Sequence, residues 1–142
     1  MTRGRLGRFG RLKRVLLAST AVVGVLVGGV ASAGLKLNET IQCYPSSEFA
    51  AGAMGAARNS SDGTQYILCS LQGYPGSSAT QLYCAAVDSA GNYCGCSSTD
   101  PHLIAVAQSM TSDPYLYFGW DSTSTCTFLR VQEDSYDSPK QP

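Results

Sequence analysis

The 142-residue chain has one histidine, His102, and one tryptophan, Trp120. A single histidine cannot form a Cys2His2 zinc site, and no H-x3–5-H run or second close cysteine pair joins the C-x-C at Cys94 and Cys96. The G-x-S-x-G elbow is missing, and its nearest approach, PGSSAT at 75–80, lacks a strand-to-helix setting. Calcium loops of the form D-x-[DN]-x-[DN]-G are absent, as are the glycine-rich loops that hold dinucleotides or phosphates. A Ser-His-Asp site would have to use His102, and nothing marks its partners. A cysteine nucleophile would break an even set of six and leave two unpaired. Paired carboxylates for glycoside hydrolysis stay open among ten acids, although Glu133 and Asp134 read as a solvated strand end. No cofactor and no metal ligand set is implied, and the chain reads as a non-enzyme.

Positive charge is also scarce beyond residue 33. Only Lys36, Arg58, Arg130 and Lys140 remain there, against all ten Asp and Glu, for a formal charge of −6. A polyanion is bound by clustered cations that neutralise phosphates, so nucleic acid is excluded as a partner.

What is present begins with the first 33 residues. Six Lys or Arg and no acid lie between 3 and 14; an apolar run from Val15 to Val30 follows, and then Ala31-Ser32-Ala33. Basic region, apolar core and A-x-A ending predict a secretory signal peptide over 1–33, with Gly34 the first mature residue. The alternative is a retained membrane anchor, since the run approaches the ~20 apolar residues that span a bilayer. Its Gly, Ala and Ser content and its ending favour cleavage. The expected location is secreted, extracellular or periplasmic, with no membrane association once the signal is removed.

All six cysteines, Cys43, Cys69, Cys84, Cys94, Cys96 and Cys126, follow the signal. An even count in a small exported chain predicts a disulfide framework. The predicted fold is a single mainly-β (α+β) domain over 34–142, disulfide-stapled, with two β-hairpins and one short helix between them. TQYILCSL alternates at period two from Ile67, and GYPGSS at 73–78 is a loop. QLYCAAV and NYCGCSS flank DSAG at 88–91, where a type I turn with Gly91 left-handed closes the first hairpin. That loop sets Cys84 opposite Cys96 and gathers Leu82, Cys84, Ala86, Cys94 and Cys96 on one face, within reach of a Cys84–Cys96 bond.

Asp100 caps a helix over about 101–111, with Pro101 in its first turn and Leu103, Val106, Ala107 and Met110 as its apolar stripe. YLYFGW and CTFLRVQ around DSTST give the second hairpin, at 115–132. Leu116, Phe118, Trp120, Leu129 and Val131 face inward. Tyr115, Tyr117, Phe128 and Arg130 take the other side, with Arg130 stacked on a ring. This set is the candidate binding patch, for an extracellular protein or glycan; the alternative is a second core layer buried beneath another element. Phe49, Ala50, Ala53, Met54 and Ala57 sit at helical spacing despite Gly52 and Gly55, and NSSDG at 59–63 is a turn. The tail at 133–142 is expected to fray. Asn38 and Asn59 fit the N-x-[ST] sequon.

CYP at 43–45, GAARNSS at 55–61 and ILCSL at 67–71 carry a resemblance. This stretch resembles a loose group of small uncharacterised exported bacterial proteins, whose mature N-terminus runs C-x-P, G-x-x-N-x-S, then a strand ending C-P-L. Here Ser70 replaces that proline and Asn59 follows Gly55 one residue late. The resemblance implies a small β-rich exported domain with Cys43 bonded to Cys69, and no activity. The functional expectation is a secreted, non-catalytic binding, adhesion or cell-exterior structural module. Two alternatives stand beside it: a small secreted effector (inhibitor, toxin or minor hydrolase), or an exported domain anchored by an uncleaved signal.

Overall fold

A computed structural model describes residues 35–137 and 139; the expected signal peptide at 1–33 lies outside the described residues. Seven strands form two antiparallel sheets. β1 (Gln42–Tyr44), β2 (Phe49–Ala53), β6 (Tyr115–Trp120) and β7 (Cys126–Gln132) make a four-stranded sheet in the order β1-β2-β6-β7. β3 (Tyr66–Gly73), β4 (Thr80–Val87) and β5 (Tyr93–Ser98) make a three-stranded meander. Both sheets turn one face to a shared core, where Leu82, Cys84 and Ala86 meet Leu116, Phe118 and Leu129. The fold is thus a small disulfide-stapled β-rich domain, with both expected hairpins and the helix between them in place.

The first hairpin follows the sequence closely. Cys84 faces Cys96 and Ala86 faces Cys94. Gly91 takes the left-handed conformation (φ 84°) and Asp88 organises the turn, its carboxylate accepting from the Ala90 and Asn92 amides. The helix α2 (Pro101–Ala107) is capped by Asp100, which accepts from the His102 and Leu103 amides; the expected helix to 111 stops at Ala107 and ends in tight turns. Leu103, Val106, Ala107 and Met110 pack on the core as the stripe predicts.

The disulfides differ from expectation. They are Cys43–Cys94, Cys69–Cys84 and Cys96–Cys126. Cys84 lies on the central strand of the meander and faces a cysteine on each side, Cys69 on β3 and Cys96 on β5. It bonds Cys69, at a Cα separation of 4.0 Å. Cys96 is thereby left to cross the core to Cys126, so the expected Cys84–Cys96 bond does not form. The Cys43–Cys69 bond implied by the resemblance is also replaced, because β1 belongs to the other sheet and sends Cys43 inward to Cys94 on β5.

The N-terminal segment is the second correction. Helical spacing over 49–57 resolves into strand β2 followed by one short helix, α1 (Met54–Asn59). Gly52 decides the matter. Its backbone (φ 155°) is one that side chains resist, and a Cβ there would stand 3.0 Å from Ile41 Cα and 3.1 Å from the Thr40 carbonyl oxygen. Small residues let β2 fit between β1 and β6, and pairing with both neighbours overrides weak strand propensity. α1 is tied to the loop before β6 by Arg58, which pairs with Asp113 and donates to the Ser112 carbonyl at 2.6 Å.

The tail is the third. Over 133–137 the expected fraying gives way to a hydrogen-bonded clasp. Leu37 N donates to the Tyr136 carbonyl at 2.8 Å, Lys36 Nζ to that of Ser135 at 3.2 Å, and the Asp134 carboxylate accepts from the Tyr136 and Asp137 amides. Asn59 Nδ2 donates to the Pro139 carbonyl at 3.0 Å. These bonds hold the two ends of the described chain together.

Candidate functional site

The outward face of the four-stranded sheet carries a row of rings drawn from all four strands. Tyr44 on β1 faces Phe49 on β2, with centroids 4.8 Å apart. Phe49 stacks on Tyr117 of β6 at 5.4 Å and 12°, and Tyr117 meets Phe128 of β7 edge-on at 5.4 Å and 82°. Offset-stacked and edge-to-face arrangements at these separations are the favourable ones for aromatic quadrupoles.

A bulge makes this row possible. Gly119 faces Phe128 but Trp120 faces Cys126, so Thr127 is an extra residue on β7. In a regular strand, Cys126 and Phe128 would share a face. Here Cys126 turns inward to its disulfide, whereas Phe128 turns outward and is 47% exposed.

Gly119 lies opposite Phe49 on one side and Phe128 on the other. With no side chain at the middle position, the two rings flank a gap floored by backbone. This trough has a volume of about 440 Å³, and Tyr117, Trp120 and Arg130 complete its lining. Polar residues line it as well: Ser47, Glu48, whose carbonyl already accepts from Trp120 N at 3.1 Å, Thr127 and Arg130. Rings and polar groups share its walls, so the trough offers both apolar and hydrogen-bonding surface to a ligand.

The structure brings together three of the four expected patch residues, Tyr117, Phe128 and Arg130. Arg130 stands opposite Tyr117 in register and donates along its own strand to Gln132 Oε1, in place of the expected stacking. Tyr115 lies further along the same strand as Tyr117, outside the trough but in a neighbouring recess that Arg130 also lines. It shares that recess with Leu37, Glu39 and Tyr136 of the terminal clasp, and burial, reinforced by the Glu39 charge, raises its phenol above the usual range. Beneath the same clasp, burial first, and then the charges of Asp134 and Glu39, push Asp137 up to about 6; neither of its carboxylate oxygens has a hydrogen-bond partner.

Tyr44 and Phe49 join the row although no strand signal marks that stretch of the chain. Phe49-Ala-Ala-Gly-Ala has side chains too small to show alternation, and its spacing reads as helical. Tyr44 and Phe128, at the two ends of the row, are exposed, and Phe49 and Tyr117 between them are half-buried. His102 lies in the first turn of α2 and does not line the trough. Among the described residues no group of three or more His, Cys, Asp or Glu is placed to hold a metal ion.

No protein-family model matches the chain, and neither a curated protein nor a solved structure does.

Proposed function

We propose that the protein is an exported, non-catalytic binding module that captures an extracellular protein or glycan on the aromatic face of its four-stranded sheet. One observation carries this reading: the row Tyr44–Phe49–Tyr117–Phe128, with its open trough at Gly119. Exposed apolar surface costs solubility, and a contiguous aromatic patch on a small domain marks an interaction site. Rings already packed on each other lose little freedom on binding, which makes them good anchors. The electron-rich ring faces suit the C–H face of a sugar or an apolar side chain, and Arg130 supplies donors at the rim.

Export is supported by the basic-apolar-small leader and by three disulfides that use every cysteine. Among the described residues no helix is long and apolar enough to cross a membrane. The reading is tested by capture from cell-envelope material and on a glycan panel, comparing the wild type with Tyr117→Ala/Phe128→Ala and Tyr117→Ala/Arg130→Ala. Capture by the parent with loss in both folded variants is expected. Unchanged capture by both variants would place the site elsewhere.

A further inference from the structure

We propose that the outer face of the three-stranded sheet is a second binding site, and that its ligand is a neutral oligosaccharide. The observation behind it is an absence of charge. Residues 63–99 contain one ionisable acid, Asp88, and no Lys or Arg, in a chain with ten acids. Asp88 is engaged within its own turn, accepting from Ala90 N, Asn92 N and Asn92 Nδ2. The sheet surface is therefore formally neutral on both of its edge strands, where solvated sheets usually carry charges.

In place of charge the face presents phenols and amides in a fixed arrangement. The Tyr83 and Tyr93 hydroxyls bond at 2.7 Å. Gly95 lets the Tyr93 ring lie along the sheet: a Cβ at that position would stand 2.9 Å from Tyr93 Cζ and closer still to its hydroxyl. Gln72 and Gln81 face each other in register, and Tyr74 donates to Gln72 Oε1 at 2.7 Å. Gln72, Gln81, Tyr83 and Tyr93, with Ser97 and Ser124, line an open hollow of about 530 Å³.

The chemistry selects the ligand class. Two hydroxyls sharing one hydrogen bond keep one donor and three lone pairs for a ligand, and each glutamine amide both donates and accepts. Sugar hydroxyls have the same dual character, while their C–H faces lie against rings. An anionic ligand would find no cation here, and a cationic one no carboxylate. A purely apolar partner would strand the amides and phenols without hydrogen bonds. A neutral saccharide meets every group without burying a charge. The site lies on the sheet opposite the aromatic row and stands independently of it.

The test is titration calorimetry of the purified protein with cellohexaose, maltohexaose, chitohexaose and mannohexaose, and with an oligogalacturonate as the anionic comparison. At least one neutral hexasaccharide is expected to bind, with affinity at least tenfold weaker in Tyr93→Ala and in Gln81→Ala, and unchanged in His102→Ala, an exposed position on α2 outside both faces. Gln81 is only partly covered, so Gln81→Ala with Gln72→Ala decides the matter if Tyr93→Ala fails to fold. The proposal is overturned if no neutral hexasaccharide binds at millimolar concentration, if the anionic one binds as well, if the folded glutamine variants bind as the parent does, or if His102→Ala abolishes binding.

Discussion

Cys94 and Cys96, two residues apart on β5, bond to opposite edges of the four-stranded sheet: Cys94 to Cys43 on β1 and Cys96 to Cys126 on β7. The edges of such a sheet are roughly 14 Å apart, and neighbouring same-face residues on a strand only about 7 Å. The disulfides span Cα separations of 5.8 and 5.1 Å. β5 must therefore run across the other sheet rather than along it. Both edges are thus fixed to one strand, and the outward face of the four-stranded sheet is held on a rigid frame.

Peptide mapping without reduction should recover Cys43–Cys94, Cys69–Cys84 and Cys96–Cys126. The chain-entropy treatment ranks their contributions by loop length. Separations of 51, 30 and 15 residues correspond to about 4, 3.6 and 3 kcal/mol. Replacing the Cys69–Cys84 pair by alanines should cost least in denaturant unfolding. A larger loss there than for the Cys43–Cys94 pair would contradict the inter-sheet frame.

Asp137 gives a stability profile of unusual sign. Its folded-state carboxyl titrates near 6, above the ordinary carboxylate value, through burial and the neighbouring Asp134 and Glu39. Asp113 and Glu133 line the same recess as Asp137, and Lys36, Arg130, Tyr115 and Tyr136 are further ionisable groups around the clasp. Between about pH 4 and pH 6 the folded state holds the extra proton, so its contribution to stability is present at low pH and lost as pH rises through 6. Asp137→Asn should raise Tm at pH 7 and flatten this window. A mutant less stable than the parent at pH 7 would show that the ionised carboxylate is stabilising.

Tyr93 is pushed up to about 12, chiefly by the Tyr83 hydroxyl and then by burial. Tyr83→Phe removes that hydroxyl and should bring the Tyr93 titration down toward the ordinary phenol value, read from its ring carbon shifts by NMR. An unchanged Tyr93 curve would mean that the hydroxyl pair is not formed in solution.

The Asp100 carboxylate accepts from two of the backbone amides that begin α2, those of His102 and Leu103. Asp100→Ala should lower stability by about 1 kcal/mol, as for loss of other N-caps, and the spectrum of the core should otherwise persist. No measurable loss would mean that the cap is replaced by water at little cost.

The parts legible in the sequence were those with local signals. Asp100-Pro101 marked the helix, Asp88 to Gly91 the turn, and the large residues from 115 to 132 the second hairpin and its two faces. β2 was illegible because alanine and glycine show no alternation, and Gly52 is explained only by Ile41 lying across it. Cysteine partners were illegible because opposition across a strand pair does not decide a bond when the central strand has a cysteine on both sides. The aromatic face was half legible: Tyr117, Phe128 and Arg130 follow from strand parity, whereas Tyr44 and Phe49 needed the β1–β2–β6 pairing. The bulge that separates Phe128 from Cys126 left no mark in the residue pattern.

The chain's one tryptophan tests the central claim most directly: Trp120 packs on the core with its ring 5.8 Å from that of Phe118, and it also borders the trough beside Gly119. Its emission should be followed while the ligand captured by the wild type is titrated in. Binding on the aromatic row predicts a saturable change in Trp120 emission, and an affinity at least ~30-fold weaker in folded Phe128→Ala, as for loss of a central interface anchor. A ligand that saturates the protein without altering Trp120 emission, and binds Phe128→Ala as tightly as the parent, would contradict the account.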